Sequence, residues 1–207
     1  MVIDCANGVE AQTEKLMEVC RMRDTPVIVF INKMDREGKD AFDLLDEIES
    51  KLSIKVKPMS WPIGIGATFK GVYNMHKKEL NLFSGNKTSI EKEVYNLNGI
   101  HDASLPEFVG EEATEVLKEE VELIEGVYGD FDQEKYLEGK VAPVFFGSAL
   151  NNFGVQELLD SFIEISPTPQ GRNTESRSVE ANEEKFSGFV FKIHANIDPK
   201  HLSLIHI

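Results

Sequence analysis

Apolar positions along the chain change rhythm several times, and each rhythm predicts an element. Met1–Ile3 is a short apolar run that stops at Asp4, with a turn through Gly8 after it. From Val9 to Met22 the spacing is helical, with Leu16, Met17 and Cys20 on one side. Val27–Ile31 is an unbroken apolar run between Pro26 and Asn32, the pattern of a strand covered on both faces. Asp40 then reads as the N-cap of a helix whose Ala41, Leu44, Leu45, Ile48 and Leu52 share one face. "IKVKPMSWPIG" returns to extended structure. Strand, helix, strand, helix, strand in this order predicts an α/β fold with a parallel sheet and crossover helices.

Between about Trp61 and Gly139 the texture differs. Aromatic and polar residues alternate in "FKGVYNMHKKELNLFS", which predicts short antiparallel strands. "EEATEVLKEEVELIEG" predicts a helix with Ala113, Val116, Leu117, Val121 and Ile124 on one face and its end at Gly126. The α/β pattern resumes with the doubly covered strand of "VAPVFFGSAL" and a helix from Val155 to Ile165. The expected organisation is therefore a first α/β part over 1–60, an inserted α+β subdomain over 61–139, and the end of the α/β domain over 140–165. "SPTPQGRNTESRSVEANEEK" reads as a polar linker over 166–185. "FSGFVFKI" opens the first strand of a further domain over 186–207. Abrupt ends at both termini suggest an internal fragment of a longer protein, and "LSLIHI" is out of character with the "ANIDPKH" before it.

Composition narrows the function classes. A hydrophobic fraction of 41% suits a globular domain, and no apolar run is long enough to span a bilayer. No secretory leader is recognisable, and Cys5 and Cys20 have no metal-ligand spacing, so a reduced cytoplasmic setting is expected. A formal net charge of −14 argues against broad contact with a phosphate backbone and against sequence-specific nucleic-acid binding. The acid concentrated between Glu107 and Glu138 reads as a solvated helix face. His76, His101, His194, His201 and His206 form no metal or triad pattern. "GIGATF" begins like a dinucleotide fingerprint, but Phe69 stands at the third glycine position, and a turn is the better reading.

The informative chemistry lies where two buried strands end. In open α/β sheets ligands bind beyond the carboxyl ends of the strands. Asn32, Lys33 and Asp35 follow one strand; Gly147, Ser148 and Ala149 follow another. An ionised Asp35 is acceptor-only and can take two adjacent N–H donors. Guanine presents such a pair at N1 and its 2-amino group; adenine does not. Asn32 can reach a ring nitrogen and tie neighbouring loops together. The Lys33 stem can lie across a flat base with its ammonium in water, and the turn at Gly147–Ala149 can aim backbone N–H groups at guanine O6. A site of this kind rejects a wrong base by a factor on the order of 10⁴.

"NKMD" and "GSAL" resemble the fourth and fifth signature motifs of translational GTPases. "VIDCANGVEAQTEKLMEVCRMRDTP" resembles the strand–helix unit after the second switch of that family. "MSWPIGIGATFKGVYNM" and the long gap between the two motifs resemble the elongation factor G-like members. "FDQEKYLEGKVAPVFFGSALNNFGVQELLD" and "VEANEEKFSGFVFKIHANIDPKH" are similar to the bacterial class II peptide chain release factors, the release factor 3 group. The resemblance implies a P-loop GTPase-type fold, a doubly wound and mostly parallel sheet with an inserted α+β subdomain, followed by the first strand of a β-barrel domain. It implies binding of GTP and GDP with Mg²⁺, hydrolysis on the ribosome, and release of the class I release factor. Asn32, Lys33 and Asp35 would then read guanine, Ser148 and Ala149 would complete the base pocket, and Leu150 would help pack it. No G-x-x-x-x-G-K-[ST], switch threonine or Asp-x-Pro-Gly-His segment occurs in these 207 residues. The phosphate cradle and the Mg²⁺ ligands are expected in a missing N-terminal part. An elongation factor G-like translocase and a non-catalytic guanine-nucleotide-binding module are the alternatives.

Overall fold

The computed structural model describes residues 1–83, 93–188 and 190. The chain divides into two compact units, Met1–Ser166 and a second that begins at Pro167.

In the first unit, β1 (Val2–Asp4), α1 (Ala11–Met22), β2 (Val29–Asn32), α2 (Ala41–Leu52) and β3 (Lys55–Pro58) follow in order. After an intervening segment come β8 (Val141–Phe146) and α6 (Val155–Ile165). The four strands form one parallel sheet in the order β1-β2-β8-β3. This is the α/β architecture that the alternating pattern predicts. Successive side chains point to opposite faces. Val29, Ile31, Val144 and Phe146 therefore join the main core with α2, whereas Phe30 and Phe145 pack with Val155 and Leu158 on the other face. Both runs are apolar throughout because both faces are covered.

β8 is last in sequence but lies between β2 and β3 in space. That insertion places the loop after β8 beside the loop after β2. Register pairs Ile31 with Phe146, so both strands end at one level.

β3 runs almost directly into β4 (Ser60–Ile63), which leaves the parallel sheet and starts a second one. Met59 N–H still donates to Val144 O at 2.9 Å, and Phe146 N–H donates to Ser60 Oγ at 3.2 Å. β4, β5 (Gly71–Asn74), β6 (Glu79–Leu82) and β7 (Glu93–Asn96) form an antiparallel sheet in sequence order. α3 (Leu105–Val109), α4 (Glu111–Tyr128) and α5 (Gln133–Leu137) complete the inserted segment. Its buried Trp61, Leu80, Leu117, Val121 and Ile124 belong to the same core as α2 and β2.

Several expectations need correction. α4 buries Thr114, Leu117, Val121 and Ile124, while Val116 is exposed, and the helix runs through Gly126 to a stop at Gly129. Thr114 Oγ1 donates to Gly110 O at 2.9 Å, so a satisfied polar residue replaces an apolar one in the stripe. In α1 only Met17 is fully buried; Leu16 is half-exposed. β2 begins at Val29 rather than at Val27. Within the segment read as a linker, β9 (Arg172–Asn173) and β10 (Ser178–Val179) form a two-residue antiparallel ladder. Near that ladder Arg177 pairs with Glu183 at 2.6 Å. The strand expected in "FSGFVFKI" falls across 189 and 191–193, outside the described residues, as do His194, His201, His206 and "LSLIHI". No closed barrel forms among the described residues.

Candidate functional site

β2 delivers Asn32 to the carboxyl edge of the sheet. Its Oδ1 accepts from the next backbone N–H, that of Lys33, at 2.9 Å, and from Ala149 N–H at 2.8 Å. One amide oxygen therefore joins two loops separated by 117 residues in sequence. Among the described residues Asn32 Nδ2 donates to no protein group, which leaves it free for a ligand acceptor.

The local turn after Asn32 places Lys33 in the left-handed region, φ 69°. Non-glycine residues adopt that region at a cost of about 1–2 kcal/mol, which surrounding contacts must offset. Several do. Lys33 O accepts from the Cys5 thiol at 3.1 Å, Cys5 N–H donates to Asn32 O at 3.0 Å, and Cys5 O accepts from Lys39 N–H at 2.9 Å. The Cys5 thiol is pushed above its usual value, first by burial and then by the negative charges of Asp4 and Asp35. It is a protonated donor inside the turn.

Met34 explains the apolar residue between the polar ones. Its side chain is buried, its N–H donates to Gly147 O at 3.1 Å, and its carbonyl accepts from Gly66 N–H at 2.9 Å. The turn in "GIGATF", residues Gly66–Thr68, thus braces the loop after β2 from the inserted side. With Met34 directed inward, the residues flanking it are left at the surface.

Lys33 does not sit with a free ammonium. Nζ pairs with the Asp4 carboxylate at the end of neighbouring β1, and the Lys33 side chain is 44% exposed. This hydrogen bond, more than any other influence, holds the Asp4 carboxyl below its ordinary value. The pair follows from register, since Asp4 lies opposite Asn32.

The second loop begins with Gly147, whose N–H donates to Ile31 O at 3.0 Å. A Cβ there would lie 2.3 Å from Phe153 O and 2.8 Å from the Phe30 ring, so close backbone approach requires glycine. Ser148 is buried and exchanges backbone hydrogen bonds with Phe153, donating at 3.0 Å and accepting at 2.9 Å. The Ser148 and Ala149 N–H groups are therefore both engaged. A guanine O6 at this loop would share the Ala149 N–H with Asn32. Leu150 is 65% exposed.

Asn151 was not legible as a site residue. It ends the short turn Ala149–Asn151, and its Nδ2 donates to Asp35 Oδ2 at 3.2 Å and to Ser148 Oγ at 2.9 Å. Asp4, Cys5 and Asn151 carry no spacing signal, because each reaches the site across strands or loops rather than along one.

These hydrogen bonds bring Asn32, Asp35 and Ser148 together on one ledge, and Lys33 Nζ is paired with Asp4. The donor set suits a planar heterocycle with adjacent N–H donors and a ring acceptor. Among the described residues no three His, Cys, Asp or Glu side chains could share a metal ion. A family model described as the elongation factor Tu GTP binding domain matches residues 1–168. Its members bind GTP and GDP and act on the ribosome. The chain belongs to this family, that of the GTP-binding translation factors or translational GTPases.

Proposed function

We propose that the ledge at the ends of β2 and β8 is the guanine-reading half of a GTP site in a bacterial class II peptide chain release factor of the release factor 3 type. In this reading Asp35 accepts from N1–H and the 2-amino group, Asn32 Nδ2 donates to ring N7, and Ser148 and Ala149 close the pocket. The supporting observation is the cross-loop hydrogen bond from Ala149 N–H to Asn32 Oδ1, 2.8 Å, which holds both polar clusters against one space. The intact factor would bind GTP with Mg²⁺, hydrolyse it on the ribosome in the cytoplasm, and promote departure of the class I release factor. Residues 1–60 and 140–165 form the GTPase part in this reading, with 61–139 inserted, 166–185 as a connector and 186–207 as the start of a β-barrel domain. Phosphoryl transfer depends on electrostatic positioning of phosphates, and the residues for it are absent from this sequence. These 207 residues alone are expected to show no GTP hydrolysis.

Asp35→Asn tests the base assignment. The amide can donate to the 2-oxygen of xanthine where the carboxylate accepted from a 2-amino group. Preference should move from guanosine toward xanthosine, by orders of magnitude in the ratio of affinities. An unchanged guanosine preference would refute the role given to Asp35. The elongation factor G-like alternative is separated by assaying the intact factor for stimulated exchange of class I release factors against stimulated translocation.

A further inference from the structure

The Asp35 carboxylate has one protein donor among the described residues, and that donor is Asn151. Two hydrogens lie on Nδ2 of an asparagine, and both are used: one on Asp35 Oδ2 and one on Ser148 Oγ. The reverse orientation of the amide would set its oxygen against a carboxylate, so the assignment of nitrogen and oxygen is fixed by charge. The backbone is fixed as well. Asn151 N–H donates to Ser148 O at 3.1 Å, and Asn152 closes the turn in the left-handed region, φ 52°. The Asn151 amide is thus held by the second loop and reaches across to the first.

This contact leaves Asp35 with a defined remainder. One oxygen keeps both lone pairs and the other keeps one. Two adjacent N–H donors of a base need two of these, presented side by side in one plane. A carboxylate without a third contact rotates about its terminal bond, because sp³–sp² torsions have broad wells.

We propose that Asn151 is a positioning residue for base recognition: its amide fixes the plane of the Asp35 carboxylate, so that the remaining acceptors meet purines carrying both an N1–H and a 2-amino group. The inference rests on the guanine reading above. It predicts that Asn151 acts on discrimination at the 2-position more than on binding of a purine as such.

Guanosine and inosine, which differ by the 2-amino group, are the probes, titrated into the full chain with binding read by ligand-detected NMR. The wild-type chain should prefer guanosine. Asn151→Ala should reduce the guanosine-to-inosine ratio about tenfold, as expected for loss of orientation in a charge-assisted hydrogen bond, with inosine affinity nearly unchanged. Asn151→Asp is the same shape and guards against misfolding. It places a second carboxyl group beside Asp35, and like charges at this separation raise one protonation equilibrium strongly. At pH 8 the two repel and the preference is lost. Toward pH 5 the carboxyl at 151 takes up a proton, donates it to Asp35 as the amide did, and the preference returns. Lys33, Arg36 and Glu37 share the loop of Asp35, with Asp4 and Cys5 on the neighbouring strand end; Asp4 is held low and Cys5 high, away from that range. A ratio unchanged in both variants, or a loss in Asn151→Asp that pH does not reverse, overturns the role of Asn151 while leaving base reading intact. A wild-type chain indifferent between guanosine and inosine overturns the base reading itself, and this inference with it.

Discussion

Trp61, the single tryptophan of the chain, donates its indole N–H to Glu120 at 2.7 Å. Its ring lies 4.7 Å from that of Phe42 and 5.4 Å from that of Phe146, so this residue joins α2, β8 and the inserted segment. Burial pushes the Glu120 carboxyl above its usual value, and the indole hydrogen bond opposes that shift only in part. A carboxyl raised in the folded state contributes stability below its unfolded value, near 4.3, and that contribution is lost as pH rises through the folded value. Trp61 fluorescence should therefore change with a midpoint above the ordinary glutamate range. Glu120→Gln keeps an acceptor for the indole and should abolish the transition; a transition that persists would assign it to another group. Nothing in "VIDCANG" announces that Asp4 holds Lys33 or that the Cys5 thiol holds the Lys33 carbonyl, because both contacts are created by strand register.

At the scale of elements, α2 was fully legible and α4 was not. Asp40 caps α2 through Phe42 N–H at 2.8 Å, and Ala41, Leu44, Leu45, Ile48 and Leu52 are all buried as the spacing demands. α4 is harder because Val116, Leu123 and Val127 form a second apolar stripe that stays exposed, while Thr114 is taken inside. A sequence with two apolar stripes does not say which faces the core. The helix also passes through Gly126, whose position has helical geometry and open space around a Cβ. Gly126→Ala should therefore stabilise the chain by about 0.5–1 kcal/mol, read in a thermal or denaturant melt. Gly129, at φ 60°, is the residue that stops the helix, and Gly129→Ala should have the opposite sign.

The whole molecule carries a tension between charge and apolar surface. β1 is an edge strand. Around it lies a groove of about 590 Å³ bordered by Val2, Leu16, Phe30, Leu158, Leu159 and Phe162. Val2, Leu16, Leu159 and Phe162 are each about half-exposed or more. An exposed edge with apolar flanks favours association, whereas a net charge of −14 opposes it. Salt screens the repulsion without weakening the apolar term. The 207-residue chain should therefore bind a hydrophobic dye and self-associate more strongly as salt is raised, seen by light scattering. A salt-insensitive monomer with a sharp cooperative melt would contradict this. The sequence by itself determined the alternating α/β pattern, the face of α2, and the chemical character of the residues that end β2 and β8, because periodicity and donor–acceptor identity are local properties. It also carried the family likeness, since motif residues are read in order along the chain. Only the tertiary structure decided that β8 inserts between β2 and β3. That one topological fact brings Asn32 to Ala149 and Asp35 to Asn151 across more than a hundred residues. Strand order is set by how buried faces pack together, and no spacing within a single strand encodes it.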